Sequence, residues 1–388
     1  MFMLLLIIIY LSFIALGLPD SLFGTSWPII HQQFNLPLSY AGIVTITISL
    51  GTIISSLLSE KLTKKFGSEL ITTISVTMTA IALVGFSFST NLFMLILFSI
   101  PLGLGAGSVD AALNNYVAIN FKARHMSWLH CFWGIGASIS PYIMGYFLAN
   151  NERWDLGYLT VGIIQVVISI LLFISLPLWK KNKKENVNVI ENVSVSYKET
   201  FKLNGLFLLL ISFLCYCAME CSFFNWTSSY LNLAKNFTIE NAALFASMFY
   251  LGMTISRLIS GFITEKLKDK SMVRIGYLIS LSGIILLLIP TNMKVIPIIA
   301  LLLTGIGCGP IYPSLIHYAP IAFDKKYSQI IIGLQMAFAY TGSTFMPPLF
   351  GLIATHINIK LFPIFVLFFT LIGFILIEVL FHKKRQEN

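Results

Sequence analysis

Residues 54–65 read "ISSLLSEKLTKK", and residues 259–270 read "ISGFITEKLKDK". Laid over each other they agree at Ile54/Ile259, Ser55/Ser260, Glu60/Glu265, Lys61/Lys266, Leu62/Leu267 and Lys65/Lys270. Recurrence at a long, fixed spacing marks an internal repeat. Two further stretches agree at nearly the same spacing. "PLGLGAG" (101–107) lies over "LTGIGCG" (303–309), with Gly103, Gly105 and Gly107 in register with Gly305, Gly307 and Gly309. "IGASISPYIMG" (135–145) lies over "TGSTFMPPLFG" (341–351), pairing Gly136/Gly342, Pro141/Pro347 and Gly145/Gly351. The chain therefore reads as two copies of one unit, 1–180 and 202–388, joined by a charged, Asn-rich linker at 181–201.

The surroundings of these stretches are apolar. Hydrophobic residues make up 57% of the 388 and charged residues 11%, where a soluble domain carries about 25% charged. A membrane-crossing helix needs about 20 mostly apolar residues. Such runs recur, and they predict twelve spans at 4–30, 38–60, 69–89, 91–120, 126–149, 156–179, 202–231, 239–265, 272–290, 294–321, 327–354 and 360–381. The alternating pattern of a membrane β-barrel is absent from the sequence. The N-terminus is apolar from Met1 without a basic leader, which predicts a first span rather than a cleaved signal.

Charge sets the expected topology. One set of loops holds Lys61, Lys64, Lys65, Lys122, Arg124, Lys180, Lys181, Lys183, Lys184, Lys198, Lys202, Lys266, Lys268, Lys270, Arg274, Lys325, Lys326, Lys383, Lys384 and Arg385. The alternate loops hold Arg153, Lys235, Lys294 and Lys360. The positive-inside rule then places both termini in the cytoplasm of a multi-pass cell-membrane protein. The net charge of +9 reads as topology, and no nucleic-acid partner is expected. Cys131, Cys215, Cys217, Cys221 and Cys308 all fall inside predicted spans, so neither a disulfide framework nor a zinc site is expected.

Six plus six spans, cytoplasmic ends, and a basic loop after span 2 that returns after span 8 resemble the major facilitator superfamily. That family's loop reads Gly-x-x-x-Asp-Arg-x-Gly-Arg/Lys-Lys, and here it stands as Ser56-x-x-x-Glu60-Lys61-x-Thr63-Lys64-Lys65. Within the superfamily the chain is similar to the fucose-permease-like sugar transporters. The similarity rests on Gly103-Leu-Gly105 with Asp110 and Asn114, on "LHCFWGIGASISPYIMG" (129–145), on "GPIYPSL" (309–315) and on "GLQMAFAYTGSTFMPPLFG" (333–351). In one place the chain departs. That group's span 1 sets its acid four residues before a proline, a place held here by Gly24, and the acid of this chain is Asp20. The resemblance implies an all-α membrane fold of two pseudo-symmetric six-helix halves, with spans 1, 4, 7 and 10 lining a central cavity.

Ionisable groups inside a membrane cost a few kcal/mol each and are functional candidates by default. Asp20, Asp110, Glu220 and Arg257 fall in predicted spans, and the three acids fall on the spans that the resemblance places around the cavity. Asp110, Asp20 and Glu220 are therefore the candidate proton-coupling residues. Asp110 stands one turn before Asn114, so the two share a face. A carboxylate taken out of water can gain and lose a proton near neutral pH. The alternative for Asp110 is a structural bond to a neighbouring helix or a pair with Arg257. Asn114, Asn115, His130, Trp133, Asn225, Trp226, Tyr312 and Gln335 are the candidate substrate-binding residues, since amides suit sugar hydroxyls and an indole face suits the C–H side of a ring. Trp226 reads equally well as an interfacial anchor. Glu60, Lys61, Arg257, Glu265 and Lys266 are the candidate gating residues, read as one cytoplasmic charge network repeated in both halves. Glu378, near the end of span 12, is expected to reach the headgroups.

A secondary transporter is the expected function, moving a small polar solute, most plausibly a sugar, by alternating access. The driving force is expected to be a proton gradient, with sodium as the other cation that carboxylates bind; no cofactor or metal is expected, and the chain is expected to be monomeric and no enzyme. Efflux of drugs or metabolites is the alternative, and a non-transporting membrane sensor the more remote one. No Gly-x-x-x-x-Gly-Lys-Ser/Thr loop occurs in the sequence, which speaks against ATP as the direct driver.

Overall fold

The structure is a computed structural model that describes residues 2–149, 153–182, 196–291 and 293–387. Most of the linker, with Lys183 and Lys184, lies outside the described residues. The described residues form helices and no strands. In chain order these are α1 (Phe2–Gly17), α2 (Leu22–Gln33), α3 (Ala41–Ser87), α4 (Leu92–Asn120), α5 (Ala123–Ala149), α6 (Trp154–Asn182), α7 (Tyr197–Thr200), α8 (Leu206–Lys235), α9 (Ile239–Leu288), α10 (Val295–Ala322), α11 (Ser328–Ile353) and α12 (Phe362–Gln386).

Eight helical stretches among the described residues are long and apolar enough to cross a membrane. Three of them, of 47, 45 and 62 residues, are too long for one crossing. At about 1.5 Å per residue the first would run roughly 70 Å, against about 30 Å of hydrocarbon. Each contains a break. α3 turns at Gly67 (φ 81, ψ 154) and α9 at Lys268 (φ 60, ψ 160). α11 and α12 are separated by a π turn over Ala354–Asn358 and a 3-10 turn over Ile359–Leu361. Eight stretches with three of them divided give eleven crossings, and the more polar α5 is the twelfth.

The first predicted span is corrected in one respect: it is two helices. Pro19 has no N–H and clashes with the carbonyl four residues before it, so α1 stops at Gly17 and α2 begins at Leu22. The carbonyl that Pro19 leaves without a helical donor is that of Ala15. Gln165 of α6 donates its Nε2 to that oxygen, and Gln165 Oε1 accepts from Thr79 of α3 at 2.9 Å. The break is thus held in place by a buried side chain, and Asp20 sits within it.

The chain divides into two compact units, Met1–Tyr116 with Leu129–Ser194, and Val117–Trp128 with Val195–Asn388. Within each, glycines let backbones touch. A Cβ on Gly103 would stand 2.2 Å from the Ile48 carbonyl oxygen, and one on Gly305 would stand 2.1 Å from that of Phe249. Gly107 meets Thr52, and Gly309 meets Ser256 and Arg257. Gly136 lies on Ile14, and Gly342 on Leu214. Both units therefore close the same helix pairs in the same way.

That packing also corrects the register of the opening match. Matching Ile54 with Ile259 sets Gly51 opposite Ser256. In the structure Gly51 packs on Gly103 and Leu104, while it is Gly252 that packs on Leu302 and Ile306. Gly252 is therefore the partner of Gly51, one helical turn earlier. By the same register Ser56 corresponds to Arg257, and Glu60 does not correspond to Glu265.

Candidate functional site

In unit 1 the site is built on α4 and α5. Asp110 is 4% exposed and Asn114 fully buried. Asn114 Nδ2 donates to Asp110 Oδ1 at 2.7 Å. Its carbonyl Oδ1 lies 3.2 Å from His130 Nε2. An amide whose nitrogen serves the carboxylate presents only an acceptor to the imidazole, so Nε2 must carry the proton. The edge of Phe13 closes on His130, with ring centroids 5.4 Å apart. Asn115 is buried one position beyond Asn114.

Trp133 follows His130 by about one turn of α5. Its indole Nε1 donates to Asp20 Oδ2 at 2.9 Å, and Ser21 Oγ donates to the Ala137 carbonyl at 2.9 Å. This contact depends on glycine. A Cβ on Gly17 would fall 2.2 Å from the Trp133 carbonyl oxygen, so only glycine lets α5 lie against the α1–α2 break. One helix thus serves both acids, His130 on the Asp110 side and Trp133 on the Asp20 side. Asp20 itself is exposed.

In unit 2 the buried charges form a full ion pair, on α8 and α9. Arg257 Nη2 of α9 donates to Glu220 Oε1 of α8 at 2.9 Å, with the two side chains 3% and 8% exposed. The Tyr216 hydroxyl lies 2.9 Å from both Glu220 Oε1 and the Cys308 carbonyl. The ring of Tyr312 on α10 lies tilted against those of Phe213 and Tyr216, and its hydroxyl reaches Met336 Sδ at 3.4 Å. Gln335 is fully buried. Its Nε2 donates to the Leu315 carbonyl at 3.4 Å, while among the described residues Oε1 finds no partner, nor does the buried Ser314 Oγ.

Several expectations change against this geometry. Arg257 does not join a charge network with Glu265: it is bound to Glu220 in the protein interior. Glu265 is exposed and meets Arg124 at 3.2 Å and Lys122 at 3.7 Å. Glu60 is buried and pairs with Lys64, and Lys61 and Lys266 are exposed. The two Glu–Lys pairs are therefore separate contacts. Trp226 makes a contact between helices. Its Nε1 donates to the Pro347 carbonyl at 2.8 Å and its ring meets the edge of Phe350, which ties α8 to α11. Asn225 turns its Nδ2 back onto Cys221 of its own helix at 2.7 Å. Glu378 is paired: Arg274 grips it through two bonds of 2.6 and 2.8 Å.

The structure adds residues the sequence pattern did not mark. Tyr216 carried no signal beyond its place one turn before Glu220. Asp269, expected in a loop, is 6% exposed and binds His317 Nδ1 at 2.8 Å. Among the described residues no cluster of His, Cys, Asp or Glu could hold a metal.

The family model of the Major Facilitator Superfamily matches residues 9–328 and again 208–388. The chain belongs to this superfamily. Membership makes it a multi-pass membrane transporter of small molecules rather than an enzyme. Among curated superfamily-like relatives, the glucose/mannose transporter GlcP of Bacillus subtilis is 25% identical over 354 residues, covering 88% of this chain and 86% of GlcP. "Bypass of stop codon protein 6" of Saccharomyces cerevisiae is 24% identical over 389 residues, covering 91% of this chain and 78% of that protein. Among solved structures, the transporter FucP in its outward conformation aligns with a TM-score of 0.80 at 14% identity, over 97% of this chain and 98% of FucP. The proton:xylose symporter XylE aligns at 0.78 with 13% identity, over 96% and 93%. These similarities carry the twelve-helix superfamily fold.

Proposed function

We propose that the chain imports a small polar solute, a sugar, across the cell membrane together with protons, by alternating access, with both termini cytoplasmic. The observation that carries this reading is the buried series Asp110–Asn114–His130. A carboxylate, an amide and an imidazole in line can hold a proton in two ways. With Asp110 ionised, Asn114 donates to it and accepts from His130 Nε2. With Asp110 protonated on the oxygen that faces Asn114, its O–H becomes a donor and Asn114 turns its carbonyl toward it. The amide N–H₂ then faces His130 and requires a bare Nε2. Gaining a proton there thus reverses the bonds of the series and leaves the imidazole proton on Nδ1, which gives the protein two discrete arrangements of the kind a coupled carrier needs.

A sugar is favoured as the solute by the polar groups on hand and by the likeness to GlcP, whose name states glucose and mannose. Asp20 with Trp133 offers an exposed carboxylate beside an indole. Gln335 Oε1 and Ser314 Oγ are buried acceptors awaiting a donor. Glu220, locked to a permanent cation, is assigned here to holding unit 2 together rather than to carrying the proton.

Uptake into proteoliposomes tests the reading, with a panel of hexoses and separate proton and sodium gradients. The expected result is accumulation driven by the proton gradient. Asp110→Asn is expected to retain exchange of labelled for unlabelled sugar while losing accumulation. If Asp110→Asn accumulates sugar as the native chain does, the coupling assignment fails. If no sugar moves and expression instead protects cells from lipophilic cations, the chain is an exporter.

A further inference from the structure

The loops opposite the Lys-rich set hold Arg153, Lys235, Lys294 and Lys360. Arg153 is matched by Asp155, through bonds of 2.9 and 2.7 Å. The three lysines behave differently: all line one cavity in unit 2, of about 660 Å³. No lining residue is acidic, and among the described residues none of the three lysines forms an ion pair. Lys235 lies over the Tyr230 ring at 5.9 Å and Lys294 over Phe237 at 5.3 Å, contacts that orient an ammonium group without neutralising it.

Helix electrostatics separates the three. Lys235 is the last residue of α8, where a cation complements the negative end of the helix dipole. Lys294 and Lys360 stand at the opposite kind of place. Lys294 immediately precedes α10, and Lys360 lies just before α12. Helix N-termini carry partial positive charge and favour acids, yet neither α10 nor α12 has an acid in its first turn. Two lysines therefore add positive charge where the backbone already supplies it. That arrangement works against both helix dipoles, whereas an anion in the cavity would meet three ammonium groups and two helix N-termini.

The cavity lies where α8 and α9 end and α10 and α12 begin, at the ends of apolar spans, where hydrocarbon gives way to headgroups in a bilayer. Leu287, Leu288 and Pro297 add apolar wall beside the lysines. A multiply charged oxyanion suits several lysines, which bind phosphate as point charges. We propose that this cavity binds a phosphate-bearing anion at headgroup level. The same chemistry is offered by an anionic phospholipid and by a soluble phosphate ester.

The test uses the purified full-length chain in neutral detergent and follows its melting temperature. Phosphatidylglycerol and glycerol phosphate are the probes, and phosphatidylcholine is the comparison lipid. Lys294→Gln/Lys360→Gln removes two cations from the cavity. Lys325→Gln/Lys326→Gln removes two from a Lys-rich loop as the matched control. The expected result is a rise with phosphatidylglycerol in the native chain and in the control variant, and loss of most of that rise in Lys294→Gln/Lys360→Gln. An equal rise with glycerol phosphate identifies a soluble ester as the ligand, and a rise with the lipid alone identifies the headgroup. The proposal is overturned if neither probe exceeds phosphatidylcholine, or if Lys294→Gln/Lys360→Gln keeps the full rise.

Discussion

The two units share their backbone contacts and differ in their buried polar groups. Gly103 rests on Ile48 as Gly305 rests on Phe249, and Gly136 meets Ile14 as Gly342 meets Leu214. Unit 1 buries Asp110 of α4 against an amide and the imidazole of α5, while unit 2 buries Glu220 of α8 against the guanidinium of α9. Close backbone approach leaves no freedom in the residue: any side chain at Gly103 strikes a carbonyl. The side chain facing it one turn along is free to change, and Ser56 in one unit has become Arg257 in the other. Ser56 donates to the Gly107 carbonyl at 3.2 Å, a modest neutral bond. Arg257 brings a charge that needs an acid, and Glu220 supplies it. The difference teaches that a duplicated scaffold can hold one buried acid met by a permanent cation and another met by an amide.

The sharpest way to break the comparison is at the cancelled charge. Arg257→Leu leaves Glu220 buried without its cation and is expected to lower stability by about 3–5 kcal/mol. Adding Glu220→Leu in the same chain is expected to recover most of that loss, because a buried pair replaced by apolar groups is often neutral or better. Thermal unfolding of the two variants in detergent measures both. A double variant that transports poorly despite recovered stability would show the pair to be more than structural.

The glycines test the shared part. Gly103→Ala and Gly305→Ala each place a methyl against a carbonyl oxygen, and each is expected to cost about 1–3 kcal/mol. Equal losses support equivalent packing, and a tolerant Gly305 would show unit 2 to be looser. Asn114→Ala comes next. It removes the bridge between Asp110 and His130 and is expected to cost about 1–3 kcal/mol, with the pH profile of uptake displaced as well. Asn114→Asp, which cannot present an N–H₂, should not restore that profile. The smallest effect is expected at Glu265→Gln. Its pairs with Lys122 and Arg124 are exposed, so the loss is about 0–1 kcal/mol and fades at high salt.

How much of this was legible in the sequence follows from the physics of each feature. The helices and their number are written in apolar runs, because a bilayer permits few alternatives. The duplication is legible at the glycines, whose spacing cannot drift without closing a backbone contact. At 54–65 and 259–270 the match slipped by a turn, because Ser, Lys and Glu at a membrane edge satisfy topology in many registers. Asp110 with Asn114 was readable from a one-turn spacing within one helix. The partners from other helices were not: Trp226 to Pro347, Arg257 to Glu220 and Asp269 to His317 each join residues far apart in the chain. Composition could offer Arg257 an acid without saying which. The sequence places Lys268 among loop charges, whereas its positive φ makes it the joint of a 50-residue helix.

The Ala15 carbonyl released by Pro19 has a genetic consequence. Gln165 is fully buried, holds no charge and sits on α6, a helix that contributes neither acid. Yet it fixes the end of α1, from which Asp20 is presented, and it is itself fixed by Thr79. A selection for loss-of-uptake alleles should therefore return α6 and α3 alongside α1. A revertant of a Gln165 allele should arise where it restores a donor to one backbone oxygen, not where it touches the solute.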